Sequence, residues 1–278
     1  QPPRISVKTL PPNVRRGGTA VVRYTIDEEV SSSGVLVAGY FVPGYLQKDG
    51  SYICFFPFPY TMTARDYKNS VEITATDLAG NVTKSHLTVM TFERVFKSDS
   101  IEVTDNFLLA VESKLRDLAP DAANPLECYL YINNQVRTAN VQTLRDIGRD
   151  SASAMLWSGV FERLPRSAPR AGFGDHRFFS YQGKPVGESY HLGFDLASVR
   201  NAEVPAANSG RVVFCGNLGI YGNLIVIDHG LGLMSLYSHL NDQLVKAGDV
   251  VQRGQIIAHT GSTGLAFGDH LHFGILVG

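Results

Sequence analysis

The chain has 278 residues, 44% of them hydrophobic and 18% charged, with a formal net charge of −1. This length leaves room for two domains, and the apolar content is ordinary for a folded protein. The balanced charge gives no basis for nucleic acid or an anionic membrane surface as a partner, and no apolar run is long enough to span a bilayer as a helix.

Residues 1–95 read as β structure. The runs ISVKTL, TAVVRYTID, GVLVAGYFV, YICFFPF and SVEITATDLAGNVTKSHLTV mix apolar and polar residues in strand-like alternation. In the last of them Val71, Ile73 and Ala75 face one way, Glu72 and Thr74 the other. Asp77-Leu78-Ala79-Gly80-Asn81 reads as the turn between its two strands. The pattern resembles the last hairpin of bacterial immunoglobulin-like domains. That resemblance implies a β-sandwich acting as a spacer or docking module, with no chemistry of its own.

Residues 96–150 read as a helical connecting region. Thr104 can cap a helix whose Phe107, Leu108, Val111, Leu115 and Leu118 form an apolar stripe. Asn124-Pro125 supplies a cap and a first-turn proline ahead of Leu126, Tyr129, Ile132 and Val136. A further short helix is expected between Val141 and Ile147. These stripes must bury against something, and the C-terminal region is the nearest surface. Covering a cleft there, or binding another envelope protein, is the functional alternative to mere packing.

From residue 151 onward short β-prone runs (VVF, LIVID, LMSLYSHL, VVQRG, QIIAHTG) are punctuated by glycines, which predicts an antiparallel all-β domain over 151–278. Tyr221-Gly222-Asn223 and Gly230-Leu231-Gly232 read as hairpin turns. The fold class is therefore mainly β: sandwich, short helical region, antiparallel β domain. Cys54, Cys128 and Cys215 lie in separate hydrophobic stretches with no CxxC spacing and no adjacent base, and read as small buried hydrophobes rather than nucleophiles.

The chemistry concentrates in the last third. His191 and Asp195 (HLGFD), His239 (LYSHL), and His270 and His272 (HLHF) are the residue types that hold a divalent metal, with imidazoles to spare. On a strand His270 and His272 project side by side while Leu271 and Phe273 point into a core. His191 and Asp195, four apart, share a face if extended. Single histidines are usually structural, and His86, His176, His229 and His259 receive that reading. HxH alone is a weak signal and HxxxD a weaker one. Their coincidence in one glycine-rich β segment, with a third histidine in a similar strand, is what points to a metal site.

The stretch from Trp157 to Gly278 resembles the M23 family of zinc metallopeptidases, the LytM/lysostaphin-type cell-wall endopeptidases. The matching pieces run in the family's order: GFGDHR, YHLGFDLA, VPAANSGRVVFCG, YGNLIVIDHGLGLMSLYSHL, VKAGDVVQRGQIIAHTGSTG and DHLHF. The resemblance implies an endopeptidase that hydrolyses peptide bonds in peptidoglycan with one Zn²⁺ per chain. It implies His191, Asp195 and His272 as the metal ligands and His239 and His270 as catalytic groups. One of that pair would handle the attacking water or the oxyanion and the other would protonate the leaving amine; which does which stays open. It also implies export to the periplasm or cell envelope. Gln1 in place of an initiator Met agrees with a processed precursor. Three departures stand out: Asp269 before HLHF, where proline is commonest; Gly274 after it, where glutamate is common; and His176, which could reach the site as an extra ligand.

Two other readings come from different classes. A catalytically dead LytM-type scaffold that activates another hydrolase typically loses metal ligands, whereas this chain keeps all five site residues. A non-haem iron oxygenase with two histidines and a carboxylate usually places the acid two residues after the first histidine, unlike HLGFD. No cluster before Trp157 offers a metal site or an acid–base pair. The segment from about Ser151 to Gly278 is therefore expected to bind zinc and cut small peptides by itself.

Overall fold

The structure, a computed structural model, describes residues 1–9 and 13–278; Leu10, at the end of the ISVKTL run, lies outside them. The N-terminal part is built from two four-stranded antiparallel sheets. One orders Ile5–Thr9, Thr19–Ile26, Ser51–Pro57 and Tyr45–Leu46; the other orders Tyr40–Pro43, Val30–Val37, Val71–Asp77 and Val82–His86. Val22, Tyr24, Cys54 and Phe56 from the first meet Val35, Val37, Val71 and Ile73 from the second in one core. The Asp77–Asn81 turn closes as its residue types require. Asp77 Oδ1 accepts the amides of Ala79 and Asn81, each at 2.8 Å, and Gly80 supplies the positive φ of 85°.

The connecting stretch begins with a strand where only helices were expected. Ser98–Glu102 pairs in parallel with His176–Tyr181, which forms a hairpin with Lys184–Tyr190. SDSIE carries no clear period, and its pairing partner lies far along the chain, so no local signal announces it. Helix Asp105–Leu115 follows, with Thr104 Oγ1 accepting the amide of Phe107. Helix Pro125–Tyr131 opens on a reciprocal cap. Asn124 Oδ1 accepts the Glu127 amide at 2.9 Å, and Glu127 reaches back to the Ala123 amide at 2.9 Å. The third helix is longer than the Val141–Ile147 reading. A π-helical turn, Ile132–Val136, carries the chain directly into Arg137–Gly148. The asparagines at 133, 134 and 140 lower helix propensity there. Burial of Ile132, Asn133, Asn140 and Leu144 overrides it, and Asn140 Oδ1 accepts the Ile220 amide at 2.9 Å.

The C-terminal region is organised by a seven-stranded antiparallel sheet. Its order is Ala168–Ala171, Phe194–Ala197, Leu271–Val277, Leu233–Leu240, Asn223–Asp228, Gly210–Asn217, Val250–Val251. Both faces are covered, which explains why LIVID is apolar at consecutive positions instead of alternating. Ile225, Ile227, Tyr237 and Leu271 pack with Val204, Val212 and Ile257 on one face. Leu224, Val226, Met234 and Leu236 pack with Leu108, Val111, Tyr129, Ile132 and Leu144 of the helices on the other. The helices and the sheet thus share one core. Gly230-Leu231-Gly232 turns the chain between strands, all three residues at positive φ, while Gly219–Tyr221 forms a short 3₁₀ turn before Gly222 instead of a tight hairpin.

Candidate metal centre

Strand register brings the site together. Asp195 lies opposite His272, and His272 opposite Ser238, so three central strands deliver Asp195, His272 and His239 to one end of the sheet. His191 stands in the loop before Phe194–Ala197 rather than on a strand, so it meets Asp195 through a bend and not a shared extended face. The bend needs Gly193: a Cβ there would come within 2.6 Å of His272 Nε2 and 2.7 Å of the Phe273 carbonyl. His239 takes a φ of 63°, left-handed for a residue with a side chain. That strained backbone next to a register shift aims its ring inward.

The atoms converge closely. His191 Nε2 lies 3.0 Å from Asp195 Oδ1 and 3.0 Å from His272 Nδ1, and Asp195 Oδ1 lies 2.9 Å from His272 Nδ1. His191 Nδ1 donates to the Gly172 carbonyl at 2.8 Å, which in the neutral ring leaves Nε2 as a bare lone pair. Two acceptors, His191 Nε2 and Asp195 Oδ1, therefore face each other at 3.0 Å beside His272 Nδ1, an arrangement completed by a cation or by a proton on one of the nitrogens. A tetrahedral site with bonds of about 2.0–2.1 Å has edges of roughly 3.3 Å, close to the separations found. The donor set fits a divalent metal.

His239 and His270 stand beside this trio, their ring centroids 4.9 Å apart. Each has its Nδ1 fixed on a carbonyl, Thr263 at 2.9 Å and Gly268 at 2.8 Å, so Nε2 is the free nitrogen in both. His270 Nε2 lies 3.6 Å from Asp195 Oδ1. Burial, with the neighbouring His272 and His270, pushes His239 down to about 3. Burial also lowers His272. Burial opposes protonation of His270 as well, but the Asp195 carboxylate and the Gly268 carbonyl outweigh it and raise its value. For Asp195 burial acts upward, and the adjoining imidazoles of His191, His270 and His272 overcome it and hold the carboxyl well below the ordinary range.

The five residues line a cavity of about 300 Å³. Its opposite wall comes from upstream: Phe107, Tyr129, Asn133 and Arg137 of the helical stretch, with Arg177 beside Asp195 at 3.9 Å. The helices also hold the loop that forms the rim. Lys114 Nζ donates to the carbonyls of Ser262 and Ala266, and Phe107 packs on Phe267 with centroids 4.9 Å apart.

His176 does not join the trio. It pairs with Glu188 at 3.0 Å and stacks on Tyr190 at 4.1 Å, which corrects its reading as an extra ligand. Asp269 acts at the rim, accepting from Thr260 Oγ1 at 2.6 Å and from the Asn201 amide at 3.1 Å. His229 is buried between Ser209 O and Ser235 Oγ, and His259 pairs with Asp242. Missed from the sequence were Gly172, Thr263 and Gly268, which fix the imidazole tautomers through backbone carbonyls, and the cleft-lining Asn133 and Arg137. GFGDHR contained the first of these and VKAGDVVQRGQIIAHTGSTG contained Thr263, without a role for either; nothing local marked the others.

The sequence profile described as Peptidase family M23 matches residues 189–278. Peptidoglycan DD-endopeptidase ShyB of Vibrio cholerae is 38% identical over 107 residues, 38% of this chain and 24% of that protein. Lipoprotein NlpD of Yersinia enterocolitica is 45% identical over 82 residues, 29% of this chain and 84% of that one; Murein hydrolase activator NlpD of Salmonella dublin is 42% identical over 89 residues, 32% of this chain and 23% of that one. A crystal structure of a candidate M23 peptidase from Pseudomonas aeruginosa covers 94% of this chain and 89% of its own at a TM-score of 0.53 and 17% identity, a likeness of fold alone. The matched segment spans about a quarter of the length of the first curated relatives.

Proposed function

The chain belongs to peptidase family M23, and from that membership we propose that it is a zinc-dependent endopeptidase hydrolysing peptide bonds in peptidoglycan, in stem-peptide cross-links or bridges, in the periplasm or cell envelope. The observation that carries the reading is the convergence of His191 Nε2, Asp195 Oδ1 and His272 Nδ1 within 3.0 Å of one another. These three would hold one zinc ion. Zinc so held supplies Lewis-acid polarisation of a carbonyl and lowers the pKa of a water molecule toward neutrality.

The chain's own groups do the rest. His239 and His270 present Nε2 to the cleft while a carbonyl anchors Nδ1, so each can take a proton at Nε2 and release it without turning its ring. One serves the attacking water or the oxyanion and the other the leaving amine. The helical wall facing them narrows the cleft and limits the water around the scissile bond. Retention of all five residues supports an enzyme over an activating scaffold of the kind named among the relatives.

Metal analysis of the purified full chain, paired with mass spectrometry of digested sacculi, tests the reading. About one zinc per chain and new peptide termini from cross-links or bridges are expected. Protein that takes up no zinc, or that releases no fragment while stimulating another hydrolase, would replace it with the scaffold reading.

A further inference from the structure

Arg137 faces the cleft from the helical wall without an acidic partner. Among the described residues no carboxylate lies within salt-bridge distance of it. Its guanidinium is held instead by Asn133: Nη2 donates to Asn133 Oδ1 at 2.9 Å, and Nε to the Asn133 carbonyl at 3.2 Å. That contact fixes the amide's orientation, because the reverse would set donor against donor. Asn133 is 3% exposed, and its Nδ2 has no acceptor. The chain thus leaves a guanidinium edge and a buried amide N–H₂ without acceptors on one wall of the cavity. Arg177 lies on the same cavity, and Asp195, the one carboxylate in the lining, is occupied by three histidines. Burial pushes the Arg137 guanidinium below the ordinary arginine value, the direction of an unpaired cation in a desolvated site. Arg137 is half-buried, and a cation partly withdrawn from water and left unpaired gains from a partner that completes it; a planar guanidinium is best completed by two carboxylate oxygens.

We propose that Arg137, positioned by Asn133, is a substrate-binding residue that receives a free carboxylate of the peptide lying across the metal centre. This rests on the endopeptidase reading for the location of the peptide, and it assigns to the helical stretch a share in specificity.

The test uses the zinc-supplemented full chain and uncross-linked stem tetrapeptides, which contain no endopeptidase target. One has its carboxylates free, one has all of them amidated, and two are amidated only at the C-terminus or only at side chains. Calorimetry should show the free acid binding about 10- to 100-fold more tightly than the full amide, the range for a hydrogen-bonded charge. The singly amidated pair identifies which carboxylate matters. Arg137→Gln should abolish the preference for the free acid over the full amide, and Arg137→Lys should retain only part of it. The lysine variant also carries the test if Arg137→Gln fails to fold. Equal binding of acid and amide by the wild type overturns the proposal, as does a preference that survives in the variants. Cross-linked dimers run in parallel separate the two readings. A chain that cuts no dimer but shows the Arg137-dependent preference loses the endopeptidase reading and keeps the carboxylate site; one that cuts dimers with no preference does the reverse.

Discussion

Two upstream regions precede the metal centre, and they relate to it differently. The N-terminal sheets enclose a core of their own, from Val14 to Val89, and contribute no residue to the cavity. They touch the remainder through ring contacts such as Phe55 with Trp157 and Tyr60 with Tyr190. The helical stretch has no separate core. Leu108, Val111, Ile132 and Leu144 share theirs with Leu224, Val226, Met234 and Leu236 of the central sheet, and the same helices form a wall of the cleft. A segment with its own core can be removed at the expense of an interface; a segment that completes another's core cannot.

The comparison is broken or upheld first by truncation. A chain of residues 151–278 strips one face of the central sheet and should lose cooperative unfolding and stay aggregated. A chain of residues 97–278 keeps Ser98–Glu102 and the helices and should fold and bind zinc. Calorimetric melting and metal content decide it; a well-folded short fragment would bear out the independent domain over 151–278 that the sequence reading expects. Within the cleft the contrast is between the three convergent residues and their neighbours. Asp195→Ala or His272→Ala should abolish zinc binding and turnover together. His239→Ala or His270→Ala should keep zinc and lose on the order of 10²–10⁴-fold in kcat. Metal analysis beside kinetics separates the two patterns, and loss of zinc in His239→Ala would move that residue into the ligand set.

Core truncations come next. Phe56→Ala in the sandwich should cost about 3–5 kcal/mol and Ile132→Ala under the helices about 2–5 kcal/mol. Only the second should alter kcat/KM, because only the second loosens the cleft wall. Equal kinetic effects would remove the distinction between the regions. The smallest effect belongs to Asn124→Ala, which deletes the cap of Pro125–Tyr131 at roughly 0.5–2 kcal/mol. It should appear in the melting temperature and leave zinc content untouched.

The cap at Asn124 and the turn at Asp77–Asn81 were legible, because each depends on residues within a few positions of one another; of the HLHF pair, His272 is on the strand as expected and His270 lies just before it. The π-helical turn at Ile132–Val136 and the strand Ser98–Glu102 were not. The first runs against local propensity and the second pairs with a segment far along the chain.

Sequence by itself singled out five side chains whose types can hold a metal and move protons, and the short antiparallel strands that carry Asp195, His239 and His272, since residue type and a period of two are local properties. Only the tertiary structure decided that His191 turns on Gly193, that backbone carbonyls at 172, 263 and 268 choose the imidazole tautomers, and that His176 stays with Glu188. It alone placed Asn133 and Arg137 across the cleft from His272. These outcomes depend on strand register and on which helix face meets which sheet face. Both are set by burial of apolar surface between segments distant in the chain, and no spacing within either segment encodes them.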